Sequence, residues 1–94
     1  MEGIDIALIA LAKRSPAYRA IRPRVADPCP SDAWRDGGLA YLAFDLLSTG
    51  GEPWTPQAVF VLAASGEIVA ARLVESDGTA GGARIIDLLA QVCT

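Results

Sequence analysis

The chain has 94 residues, a formal net charge of −3 and no histidine, so it suits one small domain without the commonest general base and metal ligand. Its apolar share of 52% and mean hydropathy of +0.35 exclude disorder as a description of the whole chain. Since so small a core cannot bury that much apolar side chain, we expect some of it to contact a partner or a second copy.

The first predicted element is a helix over residues 2–13, which are rich in alanine and leucine. Ile4, Leu8 and Leu11 follow helical spacing, and further isoleucines make nearly the whole circumference apolar. A helix of this kind is buried or shared with a partner. Ile4, Ile6 and Leu8 also alternate, so a strand remains the alternative.

Proline and serine organise the next stretch. Ser15 is a preferred N-cap and Pro16 a preferred first helical residue, so we predict a short helix over Pro16–Ile21 that ends before Pro23. The prolines of residues 22–31 exclude regular structure there. We expect the loop to continue through residues 32–38, with a turn at Asp36-Gly37.

Three strands are then predicted. Residues 39–47 have the leucine and alanine content of a helix, but the preceding turn and two aromatic residues favour a strand. Residues 57–75 form the clearest hairpin of the chain, with Ser65-Gly66 at the bend. Because a two-stranded hairpin alone is marginal, residues 39–47 are expected to complete a three-stranded meander.

The hairpin register predicts two unequal faces. A two-residue turn places Leu62 opposite Val69 and Phe60 opposite Ala71. The predicted core face carries Ala58, Phe60, Leu62, Val69, Ala71 and Leu73. The other face carries Arg72 and the candidate interface residues Val59, Val61, Ile68, Ala70 and Val74. This second face is too apolar for water, so we expect a helix of the chain or the same face of another subunit to cover it.

A C-terminal helix is predicted over residues 83–92, where Ile85, Leu88, Leu89 and Val92 share one face. The expected fold is a single α+β domain over residues 1–94. It combines an N-terminal helical segment, a small antiparallel three-stranded sheet, and this helix packed on the sheet.

No catalytic residue, metal site or cofactor is predicted. Cys29 and Cys93 are too few and too far apart for a local zinc site, and they could be thiols or one disulfide. Since the sequence has no signal-peptide pattern, we expect reduced thiols and a cytoplasmic protein. The apolar run of residues 6–12 is shorter than the ~20 residues that span a membrane, so no membrane association is expected.

Two other groups of residues are candidates for binding. Residues 1–24 contain five cations and two acids, a balance of +3, whereas residues 25–94 contain three cations and nine acids, a balance of −6. Phosphate contacts would therefore come from Lys13, Arg14, Arg19, Arg22 and Arg24. Trp34 and Trp54 lie in predicted loops, where they could line a ligand pocket.

These observations favour a non-catalytic protein-interaction or regulatory module, self-associating as a homo-oligomer, most simply a dimer. A separate protein is the other partner to consider for the apolar face. A small-ligand-binding protein or enzyme that uses Trp34 and Trp54 is the second hypothesis. Nucleic-acid binding through residues 13–24 is the third, and the acidic remainder of the chain disfavours it.

Overall fold

A five-stranded antiparallel sheet forms the centre of the fold in the computed structural model, which describes residues 6–48, 50–79 and 81–92. The elements, in chain order, are α1 (Ile6–Arg14), α2 (Pro16–Ile21), a 3₁₀ turn (Arg22–Arg24), β1 (Asp32–Asp36), β2 (Leu39–Asp45), β3 (Gln57–Ala63), β4 (Ile68–Ser76), β5 (Ala83–Asp87) and α3 (Leu88–Val92). The strands lie in sequence order, with β3 in the middle. The α+β class and the antiparallel sheet are confirmed, but the prediction of three strands is wrong.

The first helix is confirmed over Ile6–Arg14, and the strand alternative is wrong there. Residues 2–5 of the predicted helix lie outside the described residues. Leu8 and Ala12 are buried, whereas Ile6 remains 80% exposed. The helix therefore packs along one side and leaves apolar side chain on the other.

The second helix begins and ends where the sequence predicts. The Ser15 hydroxyl accepts a hydrogen bond from the Tyr18 backbone N–H (3.1 Å) and donates one to the Ala12 carbonyl oxygen (2.6 Å). After Ile21 the chain makes one 3₁₀ turn that includes Pro23. The α-helix ends because proline cannot supply the N–H that another α-helical turn needs.

The predicted loop over residues 32–38 is wrong, because Asp32–Asp36 pairs with β2 as an edge strand. Asp36 lies opposite Leu39, so the connection is a two-residue turn made by Gly37 and Gly38. Both glycines have positive φ (58° and 81°), as the favoured two-residue hairpin turn requires. The expected turn is therefore present, but it closes a hairpin.

The predicted helix over residues 83–92 is wrong for its first half. Ala83–Asp87 pairs with β4, and only Leu88–Val92 is helical. The outer edge of β4 carries backbone N–H and C=O groups that would stay unpaired if residues 83–87 were helical, and β5 pairs with them. The two isoleucines at 85 and 86 also suit a strand. The Asp87 carboxylate then accepts hydrogen bonds from the Leu89 and Ala90 N–H groups at the start of α3 (3.0 and 3.3 Å).

The register of the β3–β4 hairpin agrees with the prediction away from its turn, where Phe60 lies opposite Ala71. Closer to the turn the register shifts, so Leu62 pairs with Ile68 and Val69 is the extra residue of a β-bulge. The predicted two-residue turn is therefore wrong. As a result Ile68 packs against the core, whereas Val69, predicted for the core, is 44% exposed.

One hydrophobic core lies between the sheet and the helices. The Phe44 ring contacts Tyr18 and Phe60 edge-on, at centroid distances of 5.2 and 5.7 Å. Leu8 of α1, Tyr18 of α2 and Leu88 of α3 belong to this cluster. All three described helices therefore pack on the same face of the sheet.

Candidate functional site

The opposite face of the sheet is the candidate site, and we call it the open face because none of the described helices packs on it. Alternation along the strands places its side chains opposite the buried ones. Its apolar members are Trp34, Leu39, Tyr41, Ala43, Val59, Val61, Ala63, Ala70, Val74, Ala83 and Ile85. Its charged members are Asp32, Asp36, Asp45, Arg72 and Asp87.

An aromatic pair forms the largest feature of the open face. Trp34 lies opposite Tyr41 in the β1–β2 register, and their rings are stacked at a centroid distance of 5.1 Å with an interplanar angle of 2°. Trp34 was predicted in a loop, but it lies on a strand and is still 40% exposed. The stack therefore leaves a large aromatic side chain partly exposed on the open face.

The aromatic pair continues into an apolar row across the sheet. Tyr41 pairs with Val61, which pairs in turn with Ala70. Val61 is only 4% exposed, because its neighbours on the same face surround it. Val59 and Val74 are half-buried in the rows below.

Four of the five candidate interface residues lie on this face, namely Val59, Val61, Ala70 and Val74. The fifth, Ile68, packs against the core because the bulge shifts its register. Trp34 was a candidate only as a loop residue, and Ile85 was missed, because β1 and β5 were not predicted as strands. Tyr41 was missed although its strand was predicted, because its neighbour Trp34 was placed in a loop. Asp36-Gly37-Gly38 was the available signal, because a two-residue glycine turn predicts a strand on each side.

The charged groups of the open face lie mainly at its margins. Asp32 is on the β1 edge and Asp87 on the β5 edge, where Asp87 is the cross-strand neighbour of Arg72. Asp45 lies opposite Gln57, whose side-chain amide donates a hydrogen bond to it (2.9 Å). Within the described residues, the Arg72 guanidinium forms no ion pair.

The rings of Trp34 and Trp54 do not contact each other. Trp54 is half-buried in the loop between β2 and β3, and the ring that Trp34 contacts belongs to Tyr41. An open groove of about 450 Å³ lies elsewhere, along the exposed side of α1. Its described lining is Ile6, Ile9, Ala10, Lys13 and Arg14.

The candidate phosphate-contacting residues lie in the helical layer. Arg24 forms an ion pair with Glu75 (3.7 Å), and Arg19 donates a hydrogen bond to the Arg14 carbonyl oxygen (3.3 Å). Lys13 is half-buried, whereas Arg14 and Arg22 are exposed. One of the five cations is therefore already paired with a carboxylate.

The described residues offer no group of three or more metal-ligating side chains. Cys29 is exposed, and the alternative of a disulfide to Cys93 falls on a residue outside the described part of the chain. None of the described helices has the length and apolar character needed to cross a membrane. No protein-family model matches the chain, and neither a curated protein nor a solved structure matches it.

Proposed function

We propose that the protein is a non-catalytic interaction or regulatory module that self-associates through the open face of its sheet. The observation that carries the proposal is the stacked Trp34–Tyr41 pair beside Val61, on a face that no described helix covers. An antiparallel sheet with one solvated face normally alternates apolar and polar residues. In this protein the centre of the open face is apolar, as is the face that packs against the helices.

The composition of the open face supports an interface over an ordinary solvated surface. Protein interfaces have an apolar centre enriched in aromatic residues and a polar rim. The open face has its valines and aromatic stack on the central strands and at β1, and its aspartates at the margins. We place the protein in the cytoplasm, in keeping with reduced cysteines.

The test is the oligomeric state of a charge-insertion variant. Val59→Lys places an ammonium group at a half-buried position in the middle of the open face, where a partner would have to desolvate it. Ala20→Lys adds the same charge at an exposed position of α2 and is the matched control. Val61 is less suitable because it is already buried within one chain, so a charge there would disturb folding.

Sedimentation velocity from about 1 μM to about 1 mM covers the range expected for a modest dimer. We expect the wild type and Ala20→Lys to dimerise with rising concentration and Val59→Lys to stay monomeric while keeping its circular dichroism spectrum. A monomeric wild type over the whole range would contradict the proposal. A Val59→Lys variant that dimerises as well as the control would also contradict it.

A further inference from the structure

The arrangement of the open face points to one geometry for the dimer, and this inference rests on the proposed function. We propose that two copies pack open face to open face about a two-fold axis that runs parallel to the strands and passes over β3. β3 is the middle strand of five, so this axis places the whole sheet of one copy over the whole sheet of the other. β2 then lies over β4 of the second copy, and β1 over β5.

The charge distribution selects this axis. Asp32, Ala43, Val59, Arg72 and Asp87 form one row across the sheet. With the axis along β3, Arg72 lies over Ala43 of the second copy, beside that copy's Asp32. Asp32 of the second copy then lies over Asp87, and the Arg72 guanidinium lies next to both carboxylates, where it offsets their repulsion.

A two-fold axis across the strands gives the opposite result. Each strand would then lie over the same strand of the second copy, and Arg72 would approach Arg72. Asp32 and Asp87 would each approach their own counterpart in the same way. With the axis over this row, that arrangement adds a contact between two guanidiniums to its two contacts between acids, so it is the less favourable of the two.

Shape favours the same axis. The Trp34–Tyr41 stack is the bulkiest feature of the open face, and rotation about β3 places it over β4 of the second copy, at Ala70. β5 ends at Asp87, one step before the row that contains Ala70. Because Ala70 is small and β5 does not extend beside it, there is room at this point for the Trp34 indole ring of the other copy. On the axis itself Val59 and Val61 each contact their own counterpart.

The area is sufficient for a specific dimer. Strands lie ~4.8 Å apart and rise ~3.3 Å per residue, so a five-stranded face with seven-residue central strands measures roughly 20 by 23 Å. Two such faces bury on the order of 1,000 Å² in total, the lower bound for a specific interface. Two sheets packed in this way also keep their strands nearly aligned, as in sandwich folds.

Thiol cross-linking tests the axis directly. In a Cys29→Ser, Cys93→Ser background, Val59→Cys places a thiol on the proposed axis, within reach of its own counterpart through a short thiol-specific linker. Asp32→Cys places one on the β1 edge. About the proposed axis the two copies of residue 32 lie four strand spacings apart, roughly 19 Å. About an axis across the strands they approach each other.

We expect Val59→Cys to give covalent dimers and Asp32→Cys to give none above the level of the background chain. Cross-linking of Asp32→Cys to itself would overturn the geometry and leave the proposed function standing. A dimer in which neither variant cross-links would overturn the proposed axis, and the Val59→Lys variant then decides whether the open face is the interface. A chain that stays monomeric would overturn both proposals.

A charge exchange gives a second, independent measurement. Arg72→Glu should weaken dimerisation at least tenfold, because a third acid then stands beside Asp87 and Asp32 of the second copy. Adding Asp32→Arg should restore most of the loss, because the new guanidinium lies over Asp87 and beside the new carboxylate at position 72. A double variant that dimerises no better than Arg72→Glu alone would overturn the contact between residue 72 and residue 32 of the second copy.

Discussion

Ser15 joins the first two helices, and its replacement by alanine should lower stability in a measurable way. Its hydroxyl accepts a hydrogen bond from the Tyr18 N–H and donates one to the Ala12 carbonyl oxygen. Ser15 is only 9% exposed, so water cannot readily replace either bond. In Ser15→Ala the Tyr18 N–H loses its acceptor, whereas the Ala12 oxygen keeps the backbone N–H of residue 15 at 3.2 Å.

The expected loss follows from that difference. One buried donor is left without a partner and one acceptor stays satisfied, so the free energy of unfolding should fall by about 1–2 kcal/mol. For a domain of this size, each kcal/mol lowers Tm by about 4–8 °C. Ser48→Ala is the control, because the Ser48 hydroxyl is exposed and its hydrogen bonds with Glu52 and Gly50 can be replaced by water. We expect that variant to lose less than about 0.5 kcal/mol.

Urea unfolding followed by circular dichroism measures both variants. All samples need the same protein concentration, since self-association would make the apparent stability depend on it. A Ser15→Ala variant that is no less stable than Ser48→Ala would refute the reasoning, because the cap would then contribute nothing beyond an exposed hydroxyl.

Two further outcomes are expected from the turn and the core. Gly66→Ala should lower the free energy of unfolding by about 1–2 kcal/mol in a urea titration, because the φ of residue 66 is +93° and the new Cβ would lie 2.7 Å from Leu11 Cδ1. Gly78→Ala is the control, since its φ is +100° and no described atom lies within 4 Å of the new Cβ. That variant should lose only the part of the free energy that comes from the positive φ. Burial, opposed by the nearby Arg22 charge, raises the pKa of Tyr18 above 10.0, so the stability that this shift contributes is complete below pH 10 and is lost as pH rises through the folded value. Tyr18→Phe should therefore lose less stability than the wild type as the pH rises above about 10, and parallel curves would contradict this.

The central part of the fold could be predicted from local patterns. β2, β3 and β4 are apolar and follow turn residues, and the β3–β4 register is correct from Phe60 outward. Ser15 and Pro16 predict the second helix because capping is a local interaction between neighbouring residues. The bulge at Val69 was not predictable in this way, since it depends on how the loop after Ala63 closes. That loop has a hydrogen bond from the Ala63 N–H to the Glu67 carbonyl oxygen (2.8 Å).

The two edge strands were missed for a different reason. β1 is an edge strand in which only Ala33 is half-buried and the other residues are exposed, so its sequence Asp-Ala-Trp-Arg-Asp carries little apolar signal and resembles a loop. In β5 the apolar positions fit a helix and a strand equally well over so few residues. Pairing with the edge of β4 decided between them, and the pattern of residues 83–87 does not itself encode that pairing.

The missed strands are also what changes the functional interpretation. A three-stranded sheet would leave Trp34 in a loop, where it suggests a ligand pocket, and would make Val59 and Val61 a narrow apolar strip. With β1 and β5 in place, Trp34 joins the sheet and stacks on Tyr41, and β3 becomes the middle strand of a five-stranded face. The same strands bring Asp32 and Asp87 to its two edges and place Arg72 between the centre and one of them. Both the proposed interface and its proposed axis therefore depend on the edges of the sheet, where local sequence patterns are least informative.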